Sequence, residues 1–248
     1  DGDGFDQIDD CDDNDDEVSP LMLDICSSGV DEDCDGVVDD CSVTEWFSGD
    51  NLADQFAKAV IYDASSDTIW VSAVGYDGAV LGSGEVLQLP LIATSSADAL
   101  VTIEGEQIAD HLGNKLSLLS DLDGDGLSEL LIASYGSDRA GRNAGAVFRR
   151  DSLDTATNVS GLATVITGTA SGDNFGWDLW NDDSQLLISA PHTGFGMVNN
   201  GAVYLFSANI SGETNASNAS HVFIGEQAGE EAGTSIAMGD VNGDGFND

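Results

Sequence analysis

Beyond about residue 43 the chain is a succession of short apolar runs, rich in β-branched residues and broken by Gly, Asn and Ser. Alternation of apolar and small or polar positions marks Ile69-Trp70-Val71-Ser72-Ala73, Leu130-Leu131-Ile132-Ala133-Ser134 and Leu186-Leu187-Ile188-Ser189-Ala190 as strands. A second set follows them: Glu85-Val86-Leu87-Gln88-Leu89, Gly145-Ala146-Val147-Phe148 and Gly201-Ala202-Val203-Tyr204-Leu205-Phe206. A third set, Ala99–Ile103, Thr164–Ile166 and His221–Ile224, precedes glycines 105, 168 and 225. No helical period is present.

These elements recur. Gly49, Gly105, Gly168 and Gly225 each begin a segment with a small residue eight positions on, at Ala57, Gly113, Gly176 and Gly233. The spacing of roughly 56 to 63 residues predicts a repeat, and four short strands per repeat describe a β-propeller blade. The expected fold is mainly β: a partial propeller of three repeats and the start of a fourth over residues 43–248. A small irregular module over residues 1–42 precedes it.

Between the first two strands of alternate repeats lies acidic chemistry. Asp121-Leu122-Asp123-Gly124-Asp125-Gly126-Leu127-Ser128-Glu129 places carboxylates at positions one, three, five and nine and glycine at six. Alternate residues of a tight loop point inward, and hard Ca²⁺ takes six to eight oxygens. The expected ligands are Asp121, Asp123, Asp125, the Leu127 carbonyl and Glu129. The pattern recurs at Asp240, Asn242, Asp244, Phe246 and Asp248, and at Asp31, Asp33, Asp35, Val37 and Asp39. Asp1, Asp3, Phe5 and Asp10 read as the end of a further loop, followed by Asp12 and Asn14. A single acidic turn is ordinarily just solvated; repeated copies point to calcium. The first and third repeats carry only residues 62–67 and 181–184 at this place, too short for the pattern and expected to form tight turns. Calcium is therefore expected in alternate repeats, in a structural role.

Composition sharpens this. Of 248 residues, 46 are Asp or Glu against 6 Lys or Arg, a formal charge of −40. Nucleic acid and anionic membranes are poor partners for such a chain, and cations good ones. Residues 1–41 contain 17 of those acids and no base. They also hold all 4 cysteines, Cys11, Cys26, Cys34 and Cys41. Zinc is the rival to disulfides, but no histidine is near and no CxxC spacing occurs. An even count in an acidic, core-poor stretch favours two disulfides, in any of three connectivities, and an oxidising, extracellular setting. No apolar run reaches membrane-spanning length. The chain has the look of a piece of a longer secreted protein.

Two resemblances follow from these residues. Asp10-Cys11-Asp12-Asp13-Asn14-Asp15, Cys26 and Asp33-Cys34-Asp35-Gly36 resemble the calcium modules of thrombospondin type 3 repeats. They are more closely similar to a metal-binding motif of bacterial and archaeal secreted proteins. Cys41 is extra to that motif's three-cysteine spacing. Phe175-Gly176, the calcium loops, Ser189-Ala190-Pro191 and Gly201-Ala202-Val203-Tyr204 resemble FG-GAP repeats, the blades of the integrin α-chain propeller. Phe56-Ala57, Leu112-Gly113 and Ala232-Gly233 are degenerate copies. This resemblance implies a secreted, non-enzymatic calcium-binding protein. Its blades would serve adhesion or recognition of an extracellular protein or glycan ligand. The alternatives are a self-assembling stalk, surface-layer or filament component, or the non-catalytic part of a secreted hydrolase.

Other candidates carry less. His111, His192 and His221 fall one per repeat, with no triad signature, and no G-x-S-x-G, P-loop or H-E-x-x-H is present. Arg139, Arg142, Arg149 and Arg150 read first as partners of surplus acids. Trp177 and Trp180 read first as packing residues, with sugar stacking second. Asn158, Asn209, Asn215 and Asn218 begin glycosylation sequons expected on surface connections.

Overall fold

The computed structural model describes residues 53–243 apart from 92, 94, 152, 153 and 183, together with residues 11, 12, 18, 30, 31, 34 and 36. The chain divides into two units, Asp1–Trp46 and Phe47–Asp248.

In the second unit the alternating runs form three sheets. The first has the order β1(Phe56–Asp63), β2(Thr68–Ala73), β3(Glu85–Pro90), β4(Val101–Glu104), every pair antiparallel. The second repeats this meander with β5(Leu116–Leu119), β6(Glu129–Ser134), β7(Ala146–Arg150) and β8(Thr164–Thr167). The third is built from β9(Leu179–Asn181), β10(Gln185–Ala190), β11(Ala202–Ser207) and β13(His221–Ile224).

Period-two alternation explains how the sheets are buried. Leu130, Ile132, Ala146, Phe148 and Val165 of the middle sheet share a core with Trp70, Val86 and Ile103 of the first. Their sequence neighbours Leu131, Ala133, Val147 and Ile166 join Leu186, Ile188, Ala190, Tyr204 and Phe206 of the third. Successive residues of one strand thus fill two cores, which requires a sheet covered on both faces. All six residues of β6 are buried. On the third sheet all four residues of β13 are exposed.

The repeat's glycine segment ties one sheet to the next. Phe175 is fully buried, edge-on to Tyr204 at 5.5 Å and Phe206 at 6.3 Å. Its backbone lies against Gly145, where φ is +83° and an added Cβ would come within 2.0 Å of the Phe175 carbonyl oxygen. Gly176 then donates its N–H to the Ser189 carbonyl at 2.9 Å, entering the third sheet. The same bridges link Gly84 to Leu112 and Gly201 to Ala232, so these two degenerate copies are held as Phe175 is.

A fifth strand in the middle sheet, β12(Glu213–Asn215), is parallel to β8 and belongs to the connection between β11 and β13. The preceding repeat makes a shorter version, with the Glu104 N–H donating to the Thr157 carbonyl at 3.0 Å. Each such connection reaches back to the outer strand of the previous sheet. Too polar to read as a strand, it was expected only as a surface segment. Among the described residues no helix is long and apolar enough to cross a membrane, which says nothing of β-barrels.

In the first unit Cys11 and Cys34 form a disulfide. Cys26 and Cys41 lie outside the described residues, as do the expected ligands Asp1, Asp3, Phe5, Asp10, Asn14, Asp33, Asp35, Val37 and Asp39.

Candidate functional site

Residues 120–128 join β5 to β6 at the pairing Leu119↔Glu129. Asp121 organises this loop: its Oδ1 accepts the N–H groups of Gly124 at 2.6 Å and Asp125 at 3.0 Å, and its Oδ2 that of Gly126 at 2.8 Å. Gly126 adopts φ +91°, a conformation costly for any residue with a Cβ. The Asp123 Oδ1 accepts the Asp125 N–H at 3.1 Å, and the Asp125 Oδ1 that of Leu127 at 2.9 Å. Glu129, fully buried at the start of β6, accepts the Leu122 N–H at 3.0 Å.

Carboxylate oxygens of Asp121, Asp123 and Glu129 converge within 4.8 Å of one another. The N–H of Gly126, then those of Gly124 and Asp125, hold the Asp121 carboxyl below its ordinary pKa against some burial. Burial, and then the charge of Asp123, push the Glu129 carboxyl up despite the Leu122 N–H. Like charges brought this close repel one another. A cation among these oxygens would reverse that term. The donor set is all oxygen, which suits a hard ion such as Ca²⁺, Mg²⁺ or Mn²⁺.

The other two expected loops share parts of this geometry. Gly243 donates its N–H to the Asp240 Oδ1 at 2.6 Å, as Gly124 does to Asp121. Gly36 donates to the Asp31 Oδ2 at 3.0 Å, as Gly126 does to Asp121. Asn242 and Asp12 are also described, whereas Asp244, Phe246 and Asp248 are not. Of the full loop at 121–129, three expected carboxylates are brought into one group. Asp125 and Leu127 serve the loop's own hydrogen bonds.

At the opposite end of the β5–β6 hairpin lies a feature the sequence reading did not single out. Tyr135, just past β6, stacks on His111 at 5.2 Å and meets Trp177 at 5.0 Å. Trp177 meets His192 edge-on at 5.5 Å. Asn114 fixes this row, donating to the carbonyls of Gly176 at 3.0 Å and Trp177 at 3.1 Å. Asn174 donates to the Tyr135 carbonyl at 3.1 Å and is hydrogen-bonded to the His192 Nδ1 at 2.8 Å. Expected in the packing, Trp177 is instead half-buried and lines a concavity of about 220 Å³. The only signal in the sequence is that His111, Asn114, Asn174 and Trp177 flank the repeat's small-residue pair.

Among the described residues two of the four arginines form ion pairs with acids. Arg139 pairs with Glu106 at 2.6 Å and Arg149 with Asp151 at 2.7 Å. The buried Arg150 lies over the Trp70 ring at 5.3 Å and donates to the Asp154 carbonyl at 2.7 Å. Of the sequon residues, Asn158 spends its Nδ2 on the Gly105 carbonyl at 3.0 Å while its Oδ1 accepts the Ser160 N–H. That amide nitrogen, the atom a glycan would occupy, is engaged in the fold.

Residues 112–148 match the family model of the FG-GAP repeat. Residues 10–40 match that described as "Putative metal-binding motif", whose name refers to copper binding. No curated protein matches the chain.

Proposed function

We propose that this chain is an extracellular, non-catalytic recognition protein whose three sheets are consecutive blades of an FG-GAP propeller. Structural Ca²⁺ would be held by Asp121, Asp123, Asp125, the Leu127 carbonyl and Glu129. The observation that carries the reading is the convergence of the Asp121, Asp123 and Glu129 oxygens, within a segment that matches the FG-GAP repeat. Stacking of each sheet on the next through two-faced burial supports the blade assignment.

Calcium rather than copper fits the first unit as well. Cys11 and Cys34 are joined to each other, so neither offers the thiolate that copper favours, and residues 1–41 hold no histidine. Carboxylates dominate there, at Asp12 and Asp31 among the described residues. The disulfide supports an oxidising compartment, and pairing of Cys26 with Cys41 would complete the two bridges.

Asp123→Ala tests the metal reading. Wild type should melt at higher temperature with calcium than with chelator, because an ion bound only by the folded state adds RT ln(1 + [L]/Kd). The variant should lose that increment and differ little from wild type in chelator. Equal destabilisation in both conditions would show that the loop is not a metal site.

A further inference from the structure

The chain has two lysines, Lys58 and Lys115. Both line the concavity beside Tyr135 and Trp177, although they belong to different repeats and the protein carries 46 acids. Lys115 contacts Asp178 at 3.1 Å, which leaves ammonium protons over. Among the described residues Lys58 has no ion pair or hydrogen bond, and neither do the Gln55 amide, the His111 ring nitrogens and the Tyr135 hydroxyl. These five side chains surround one opening, while Asn114 spends its own polar groups on holding the wall in place. The wall itself is a row of half-buried aromatic side chains packed against one another and held by hydrogen bonds from Asn114 and Asn174.

We propose that this concavity binds a saccharide terminus that carries a carboxylate. The sugar's C–H groups would pack against the Tyr135 and Trp177 side chains that line the opening. Its carboxylate would meet Lys58 and Lys115, and its hydroxyls Gln55 and His111. Aromatic side chains present a flat apolar body with polar tips, the match for an amphipathic ring. Uncommitted donors beside them select an acceptor-rich ligand, and two ammonium groups select an anionic one. The volume of about 220 Å³ falls below the roughly 300–1,000 Å³ of drug-sized ligand sites, which suits one ring at a chain end. This deepens the recognition reading by naming a ligand class and a place, and rests on that reading for its biological sense.

The test uses the whole chain with methyl glucuronide and methyl glucoside, followed by saturation-transfer NMR titration. Glucuronide should bind the more tightly, and Lys58→Ala should weaken it about tenfold, the value of one charge-assisted hydrogen bond, while glucoside is unaffected. Lys58 is exposed, so its loss leaves the fold intact. Trp177→Leu should weaken both sugars. Equal binding of the two sugars, no glucuronide binding at millimolar concentration, or a preference that survives Lys58→Ala would each overturn the proposal. So would a preference abolished by Asp123→Ala, which would place the carboxylate on a loop-bound cation instead. A calcium melting shift measured on the same samples separates the two readings. A shift without glucuronide binding overturns only this inference, and glucuronide binding without a shift overturns only the metal reading.

Discussion

Two connections that occupy the same place in neighbouring repeats solve one problem differently. Residues 64–67 join β1 to β2, and residues 120–128 join β5 to β6. In the short turn the Asp63 carboxylate is satisfied locally. It accepts the Ser65 N–H at 3.0 Å, the Ser65 hydroxyl at 2.6 Å and the Ser66 hydroxyl at 2.8 Å. Burial pushes its pKa up, yet these hydrogen bonds carry it below the ordinary value. In the third repeat Asp182 does the same, accepting from Ser184 and Gln185. The long loop gathers three carboxylates, each accepting backbone N–H groups, and Glu129 goes up where Asp63 goes down. Hydroxyls and amides serve one buried acid in the short turn, whereas the long loop brings three acids together, the arrangement on which the proposed metal site rests. The two connections also touch, since Ser128 donates its N–H to the Ser65 hydroxyl oxygen at 2.9 Å.

Both connections stand on the same frame, and breaking the frame should have the largest effect. Gly145→Ala puts a Cβ into the Phe175 backbone at a positive φ. We expect a loss of more than about 3 kcal/mol, equal with calcium and with chelator. A calcium-dependent loss in urea unfolding would mean that loop and frame are not separable.

Next is the exchange of one connection for the other. Asp63 pairs with Thr68 as Leu119 pairs with Glu129. Replacing residues 119–129 by Asp-Ala-Ser-Ser-Asp-Thr therefore keeps register. The chimera should fold and show no calcium melting shift, where wild type gains about 2.7 kcal/mol at a hundredfold excess of calcium over Kd. A chimera that still responds to calcium would place the responsive site elsewhere. A smaller effect is expected from Asp63→Ala, about 1–2 kcal/mol for a partly buried acceptor with three donors, unaltered by chelator.

The contrast between the connections was legible in the sequence because loop length and acid count are local properties. So were the meanders, since strands buried on one or both faces show their period directly at residues such as 130–133. What sequence could not show depends on contacts between repeats. β12 is polar, and only its parallel register with Thr164–Thr167 makes it a strand. Tyr135, His111 and Trp177 lie in different segments and meet only because Asn114 and Asn174 pin neighbouring repeats together. Trp177 was expected in the core for its size, and it is instead half-buried beside a concavity between repeats.

The last prediction concerns an acid that no hydroxyl serves, and it is read from a pH dependence rather than from a single loss of stability. Asp110, 2 % exposed, precedes the small-residue pair of the second repeat. Its Oδ2 accepts the N–H groups of Gln107 at 2.8 Å and Glu106 at 3.1 Å, and its Oδ1 has no hydrogen-bond partner among the described residues. Burial first, and then the charges of Glu106 and Asp138, push its pKa to about 6 against those two N–H groups. Between the ordinary value of 3.8 and about 6 the folded chain keeps a proton that the unfolded chain has released. Stability rises with pH only where the unfolded state binds more protons, so here it falls. The contribution is fully present below about pH 4 and is lost as pH rises through about 6. Asp110→Asn retains an oxygen for the two N–H groups and cannot ionise. Wild type should therefore lose stability relative to the variant from pH 4 to pH 7, with a flat difference on either side. Because the loop carboxylates titrate alike in both proteins, the difference between their urea midpoints isolates Asp110. A difference that does not change with pH would show that Asp110 remains charged in its buried place, held by a partner the hydrogen bonds do not reveal.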